Sequence, residues 1–208
     1  MNDNFIFIWL CWILWTLSTF FMPKSKLRTA FSCWLLIIII SSPTSIVLND
    51  YLSISIAFIS LLIGAMLMYS LKEYWFYHLI VIFSLTFAHM ALLFLMKVSP
   101  ILIILSPTIM IALLNASLTI ISQKKLFQQL FIVVLGMGFG DLMYGFILNN
   151  YYMAYRVGHF PFLSQLFMTI LCLMLWQAMV QLRNWSMDDS DLLEHQMSLP
   201  RERTSQAE

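Results

Sequence analysis

The residue of this chain with the clearest chemical potential is Asp141, which lies inside an apolar stretch long enough to cross a bilayer. That stretch, residues 130–150, reads LFIVVLGMGFGDLMYGFILNN. A carboxylate is costly in the hydrocarbon region, so such a residue usually faces the protein interior or a water-filled cavity. His89 lies inside a second apolar stretch, and an imidazole beside a carboxylate would titrate near neutral pH. Asp141 and His89 are therefore the first candidates for a functional pair.

The composition places these residues in a membrane protein. Of the 208 residues, 61% are hydrophobic and 10% are charged, whereas about 25% of the residues in soluble domains are charged. The net charge of +1 argues against a nucleic-acid-binding surface, which would need a clustered basic face. Cys11, Cys33 and Cys172 lie in apolar runs without the spacing of metal ligands, so we expect neither a metal site nor a cofactor.

Seven apolar segments position these side chains and predict an all-α, polytopic bundle of about seven transmembrane helices. The predicted spans are residues 4–22, 30–48, 51–71, 75–96, 100–121, 126–149 and 160–182. Together they form a transmembrane domain over residues 1–182. The polar segment 183–208 predicts a cytosolic tail without fixed structure.

The basic residues predict the orientation of these spans. With the N-terminus outside and the C-terminus inside, nine of the eleven lysines and arginines lie on the inner side. The nine are Lys24, Lys26, Arg28, Lys72, Lys124, Lys125, Arg183, Arg201 and Arg203, and the two on the outer side are Lys97 and Arg156. We therefore expect an N-out, C-in protein of the cell membrane, in a bacterium the plasma membrane.

Polar or helix-breaking residues recur at a similar depth in five of the predicted spans, about 8 to 12 Å below the outer interface at 1.5 Å per helical residue. The set comprises Ser41, Ser42, Thr44, His89, Ser106, Thr108, Asp141 and Gln165. One interpretation is a hydrated pocket that opens outward around Asp141. The other is that these side chains join helices through hydrogen bonds, each contributing less than about 2 kcal/mol.

Small residues at four-residue spacing predict close contacts between helices. Gly136 and Gly140 share one face of the Asp141 helix, and Ser60 and Gly64 form a second pair of this type. Such pairs allow the backbones of two membrane helices to approach closely.

The segment Gly138–Phe139–Gly140–Asp141 also resembles the GxGD motif of intramembrane aspartyl proteases. In that class a second aspartate on a neighbouring span shares a proton with the first, and the pair activates a water molecule. No other aspartate lies inside a predicted span of this chain, so protease activity is disfavoured.

As a whole, the chain resembles the YphA-type family of polytopic membrane proteins of spore-forming bacteria. The resemblance rests on its size, on an early tryptophan-rich span (Trp9, Trp12, Trp15), on the short basic loop that follows, and on the seven-span layout. The family implies membership of the multi-pass membrane proteins and no particular activity.

These observations favour a multi-pass membrane protein without enzymatic activity, which packs its helices around Asp141 and acts by binding a partner or by sensing. Beyond the lipid bilayer, the partner would be another membrane protein or a second copy, and not a nucleic acid. The alternative is a small-solute or proton-coupled transporter that uses the outward-facing polar pocket.

Overall fold

The computed structural model describes the backbone of residues 3–21, 26–68, 75–98 and 106–205 and the side chains of residues 6–20, 28–65, 76–98 and 106–183. Met1–Leu173 forms one compact unit and Met174–Glu208 a second. The described chain contains seven helices: α1 (Asp3–Phe21), α2 (Lys26–Ser41), α3 (Ile56–Met68), α4 (Trp75–Val98), α5 (Pro107–Ser122), α6 (Leu126–Asn150) and α7 (Phe160–Ser205).

Within the described residues, three of these helices are long and apolar enough to cross a bilayer, at Phe76–Val98, Leu126–Asn150 and Phe160–Arg183. α1, α2, α3 and α5 contain shorter apolar segments. The helices α1, α4 and α6 lie within two residues of the predicted spans at both ends. The fifth span was predicted from residue 100, but residues 99–105 lie outside the described part and α5 begins at Pro107.

Helix α6 is the core of the first unit. Its residues 131–138 are all buried, and α4, α3 and α5 pack against it. The glycines of α6 allow its neighbours to come this close, since a Cβ at Gly136 would meet Leu85 of α4 and one at Gly138 would meet Leu62 of α3. The buried side chains of α6 include Ile132, Val133 and Met137.

The second and third predicted spans are wrong at their facing ends, because residues 45–55 form strands rather than helix. α2 ends at Ser41, and Ser45–Asn49 (β1) pairs antiparallel with Leu52–Ser55 (β2). Pro43 cannot continue a helix, and the β-branched Ile46 and Val47 that follow it favour a strand. The fold is therefore mostly helical rather than all-α.

A third strand comes from far along the chain. Tyr155–Val157 (β3), between α6 and α7, pairs in parallel with β2, so the sheet order is β1–β2–β3. We call this three-stranded sheet the cap. It joins the connection between α2 and α3 to the connection between α6 and α7.

The structure carries α7 on to Ser205, through most of the segment 183–208 for which the sequence predicted no fixed structure. Of this helix, residues 160–173 belong to the first unit and the remainder to the second.

Candidate functional site

The carboxylate of Asp141 is fully buried and holds the strand β3. Its Oδ1 accepts a hydrogen bond of 2.5 Å from the hydroxyl of Tyr155, and its Oδ2 accepts one of 2.7 Å from the backbone N–H of Gly158. The exposed fraction of Asp141 is 0%. Both carboxylate oxygens are therefore used to join α6 to the far side of the loop that follows it.

Two glycines allow the loop to lie this close to α6. A side chain at Gly145 would come within 2.7 Å of Val157, so β3 packs against the bare backbone of the helix. Gly158 has φ +70, in the left-handed region that favours glycine, and a Cβ there would collide with Phe58. The turn at Gly158 aims its N–H at Asp141.

Tyr155 is fixed on several sides. Its ring lies 5.1 Å from the ring of Tyr144 and 5.3 Å from that of His159, and its backbone N–H donates to the carbonyl of Tyr51. Burial, together with the negative charge of neighbouring Asp141, raises the pKa of the Tyr155 phenol above its usual value. The hydroxyl therefore keeps the proton that it donates.

Arg156, the next residue, holds the other end of the cap. Its Nη2 donates to the backbone carbonyls of Ser42, at 3.1 Å, and Pro43, at 2.9 Å. These carbonyls follow the last turn of α2, where the helix dipole is negative and a cation is stabilising. The adjacent residues Tyr155 and Arg156 of β3 thus bind α6 and the end of α2, respectively.

His89 lies against α6, but its hydrogen bond goes to Asn115 and not to Asp141. Its ring is so close to the helix that a Cβ on Gly140 would be 3.0 Å from His89 Cδ2. Its Nδ1 accepts a hydrogen bond of 3.1 Å from the amide of Asn115 on α5. Within the described chain, His89 Nε2 and Asn115 Oδ1 are buried without a hydrogen-bond partner.

The remaining residues of the predicted polar layer are dispersed. The hydroxyls of Ser41, Ser42 and Thr44 all donate to backbone carbonyls within residues 37–41 of the same segment. Ser106, before the first turn of α5, is exposed, whereas Thr108 and Gln165 are buried. A small cavity of about 30 Å³ lies between α4, α5 and α6, and none of the predicted residues lines it.

The predicted packing residues lie at close helix contacts. A Cβ on Gly136 would be 2.7 Å from Leu85 of α4, and one on Gly64 would be 2.6 Å from Cε2 of Trp34 on α2. The backbone carbonyl of Ser60 accepts a hydrogen bond from Trp34 Nε1. Thr86 of α4 adds a hydrogen bond of 3.1 Å to the carbonyl of Gly136.

A second buried polar group lies where α5 ends and α4 and α6 begin. Gln123 Nε2 is 3.4 Å from His78 Nδ1, and Gln129 Nε2 donates to the carbonyl of Gln123 at 2.6 Å. The sequence gives no reason to pair His78 with Gln123. A contact between residues 45 positions apart leaves no local sequence signal.

Sequence reasoning also missed Tyr155, Arg156 and Gly158. A signal was present, because Tyr155–Arg156–Val157 is a short run with strand propensity that ends at a glycine. In a ten-residue connection between two membrane spans, however, this run reads as an ordinary interfacial loop.

The arrangement around Asp141 is that of an anchor. A general acid or base needs a reacting group within hydrogen-bond reach, whereas both oxygens of Asp141 are already bonded to donors of the same chain. Within the described residues, no group of three or more His, Cys, Asp and Glu side chains is placed to hold a metal ion.

Comparisons with known proteins agree with a membrane setting. Residues 3–196 match the model of the YphA-like integral membrane protein family. A protein of Bacillus subtilis (strain 168) named "Uncharacterized protein YphA" is 32% identical over 167 residues, which cover 78% of this chain and 81% of the relative. No solved structure matches the chain significantly.

Proposed function

Because this chain belongs to the YphA-like family of integral membrane proteins, we propose that it acts by binding another membrane protein through its cap. In this proposal it is not an enzyme, it resides in the cell membrane, and Asp141 serves to hold the cap in place. The orientation expected from the basic residues, N-terminus outside, puts the cap on the outer side.

The observation that carries this proposal is the double hydrogen bond of Asp141. A carboxylate that binds a solute, or that takes up and releases a proton, has to exchange its partners with water or substrate. Asp141 is fully buried, and its two oxygens accept from Tyr155 and Gly158. This arrangement favours an architectural role for Asp141. Removal of its carboxylate would leave both donors unpaired, at a cost of about 1–3 kcal/mol each.

The exposed side of the cap supports binding. Ile46, Val47 and Leu48 of β1 are all at least half exposed, and Tyr152 in the loop before β3 is 77% exposed. The rings of Tyr51 and Tyr152 pack edge to face at 5.6 Å, which joins the hairpin to that loop. Exposed apolar residues rimmed by polar groups often mark protein-interaction sites.

The proposal is tested by comparing cap accessibility in native membranes and in purified protein. Single cysteines replace Val47 on the cap and Lys125 at the opposite end of α6, in a variant without Cys11, Cys33 and Cys172. Both positions are exposed. We expect a water-soluble maleimide to react more slowly with Val47→Cys in native membranes than in dilute detergent solution, and equally in both with Lys125→Cys. Equal rates at Val47→Cys would contradict partner binding.

Transport is a second candidate, and the pair His89–Asn115 is the observation that favours it. This pair is buried between α4 and α5, and one polar atom of each side chain is unpartnered within the described chain. A transport pathway requires water to reach Thr108 or Gln165 in at least one state. If the protein is a transporter, a cysteine at one of these positions should therefore react with the water-soluble maleimide. Protection at both, combined with a shielded Val47→Cys, favours partner binding.

A further inference from the structure

Strand β1 differs from the other two strands of the cap in how it is covered. β2 and β3 pack on α6, where Gly145 lies against Leu52 and Val157, and these two side chains are buried. All five residues of β1 are exposed, and β1 lies at the edge of the sheet.

The unpaired edge of β1 consists of the backbone groups of Ser45 and Val47. The N–H of Ile56 donates to the carbonyl of Thr44, and the register pairs Ile46 with Ile54. Since hydrogen-bonded and non-hydrogen-bonded pairs alternate in an antiparallel ladder, residues 44 and 46 face β2. The N–H and C=O groups of Ser45 and Val47 therefore point away from the sheet.

Neither water nor lipid suits this edge. The exposed fractions of Ile46, Val47 and Leu48 are 50%, 72% and 56%, so apolar side chains project on both faces of the strand. Water satisfies the backbone groups but leaves these side chains hydrated, and acyl chains cover the side chains but cannot accept or donate hydrogen bonds. Another β-strand satisfies both requirements.

From this edge we propose that two copies of the chain associate through β1, with the strands antiparallel across a two-fold axis at Ile46. This inference rests on the proposed binding role of the cap and names the partner. Ser45 of each copy then lies opposite Val47 of the other, and each of these pairs exchanges both of its backbone hydrogen bonds. The irregularity between Val47 and Asn49 ends the pairing beyond Val47.

The chemistry of the strand favours a second copy over a different protein. β1 reads Ser-Ile-Val-Leu-Asn and carries no charge, so two copies approach without repulsion between like charges. It also lacks the lysine or proline that natural edge strands commonly use to prevent self-association. In the proposed register Ile46 meets Ile46 across the axis, and small Ser45 meets larger Val47, so the surface is self-complementary.

Disulfide cross-linking tests this register. In a non-hydrogen-bonded antiparallel pair the Cα atoms are about 4.5 Å apart, which lies within the range for a disulfide. In the cysteine-free variant in native membranes, Ile46→Cys should form a dimer of the chain under mild oxidation. Leu48→Cys, at a slightly more exposed position two residues from the axis, should cross-link several-fold less.

A proline variant separates association from folding. Val47→Pro removes an N–H that faces away from β2, so the hairpin keeps its ladder, and a proline is tolerated at such an edge position. We expect the double variant Ile46→Cys/Val47→Pro to remain folded and to lose, in native membranes, the cross-linked dimer that Ile46→Cys alone forms. Lys125→Ala, a change at an exposed position away from the cap, serves as the control and should keep the cross-linked dimer.

The outcomes distinguish the two proposals. Absence of the Ile46→Cys dimer, or its persistence in Ile46→Cys/Val47→Pro, would overturn association through β1. If Val47→Cys is nevertheless shielded in native membranes, the cap binds a different protein and only the second copy is rejected as its partner. If Val47→Cys is not shielded, both proposals fail.

Discussion

At the scale of single residues, the molecule depends on one carboxylate and its two donors. Asp141 was identifiable from the sequence because an acidic residue inside an apolar span requires an explanation. Its partners were not identifiable, because Tyr155 and Gly158 are 14 and 17 positions away and lie beyond the end of the helix. The depth argument pointed toward His89, whose hydrogen bond goes to Asn115 instead.

Tyr155→Phe tests the hydrogen bond between the Tyr155 hydroxyl and the Asp141 carboxylate. The substitution keeps the ring against Tyr144 and His159 but removes the donor to Asp141, which leaves one buried oxygen unpaired. We expect a loss of about 1–3 kcal/mol in the free energy of unfolding, seen as a melting midpoint lower by several degrees in detergent. The matched control is Tyr152→Phe, since Tyr152 is exposed. Equal midpoints for the two variants would contradict the role of the Tyr155 hydroxyl.

At the scale of elements, the helices were more predictable than the cap. Hydropathy located α1, α4 and α6 closely because an apolar run of span length has few other solutions in a membrane protein. The same reasoning failed for residues 45–55, where apolar β-branched residues were counted as part of a span. A short apolar run is compatible with helix or strand. Here residues 45–55 form a hairpin, and β2 also pairs with β3, about 100 residues later in the chain.

The close contact between α4 and α6 is tested by substituting Gly136 of α6, and Gly138 of the same helix provides the control. Gly136→Ala would bring a Cβ to 2.9 Å from Leu85 Cβ, which moves only with the backbone of α4. Gly138→Ala would meet the flexible end of Leu62 at 3.0 Å. Alanine favours helix at both positions by about 1 kcal/mol, so their difference reports the α4 contact.

We expect Gly136→Ala to be less stable than Gly138→Ala by about 1–3 kcal/mol, the usual cost of overpacking, in unfolding by denaturant. Equal stability of the two variants would show that α4 adapts to the added methyl group and that Gly136 is not required for this contact.

At the scale of the whole molecule, the chain is an integral membrane protein of the YphA-like family in which a strand from the loop before α7 is built into the connection between α2 and α3. Composition was sufficient to predict the membrane environment. It was insufficient for the cap, because the cap depends on the meeting of two connections that are far apart in sequence. The central claim is that Asp141 holds the connection between α6 and α7 against α6, and through β3 the rest of the cap.

The most direct measurement of this claim is the reactivity of a cysteine at Ser55, in the cysteine-free variant in lipid nanodiscs. Ser55 lies in β2 and is fully buried, and cysteine is close to serine in size. If Asp141 anchors the cap, Ser55→Cys should react slowly with a water-soluble maleimide when Asp141 is present. The reaction rate should increase greatly when Asp141→Leu removes both hydrogen bonds. Tyr152→Cys, already exposed, should react rapidly in both backgrounds. Fast labelling of Ser55→Cys with Asp141 intact, or protection unchanged by Asp141→Leu, would contradict the anchoring role.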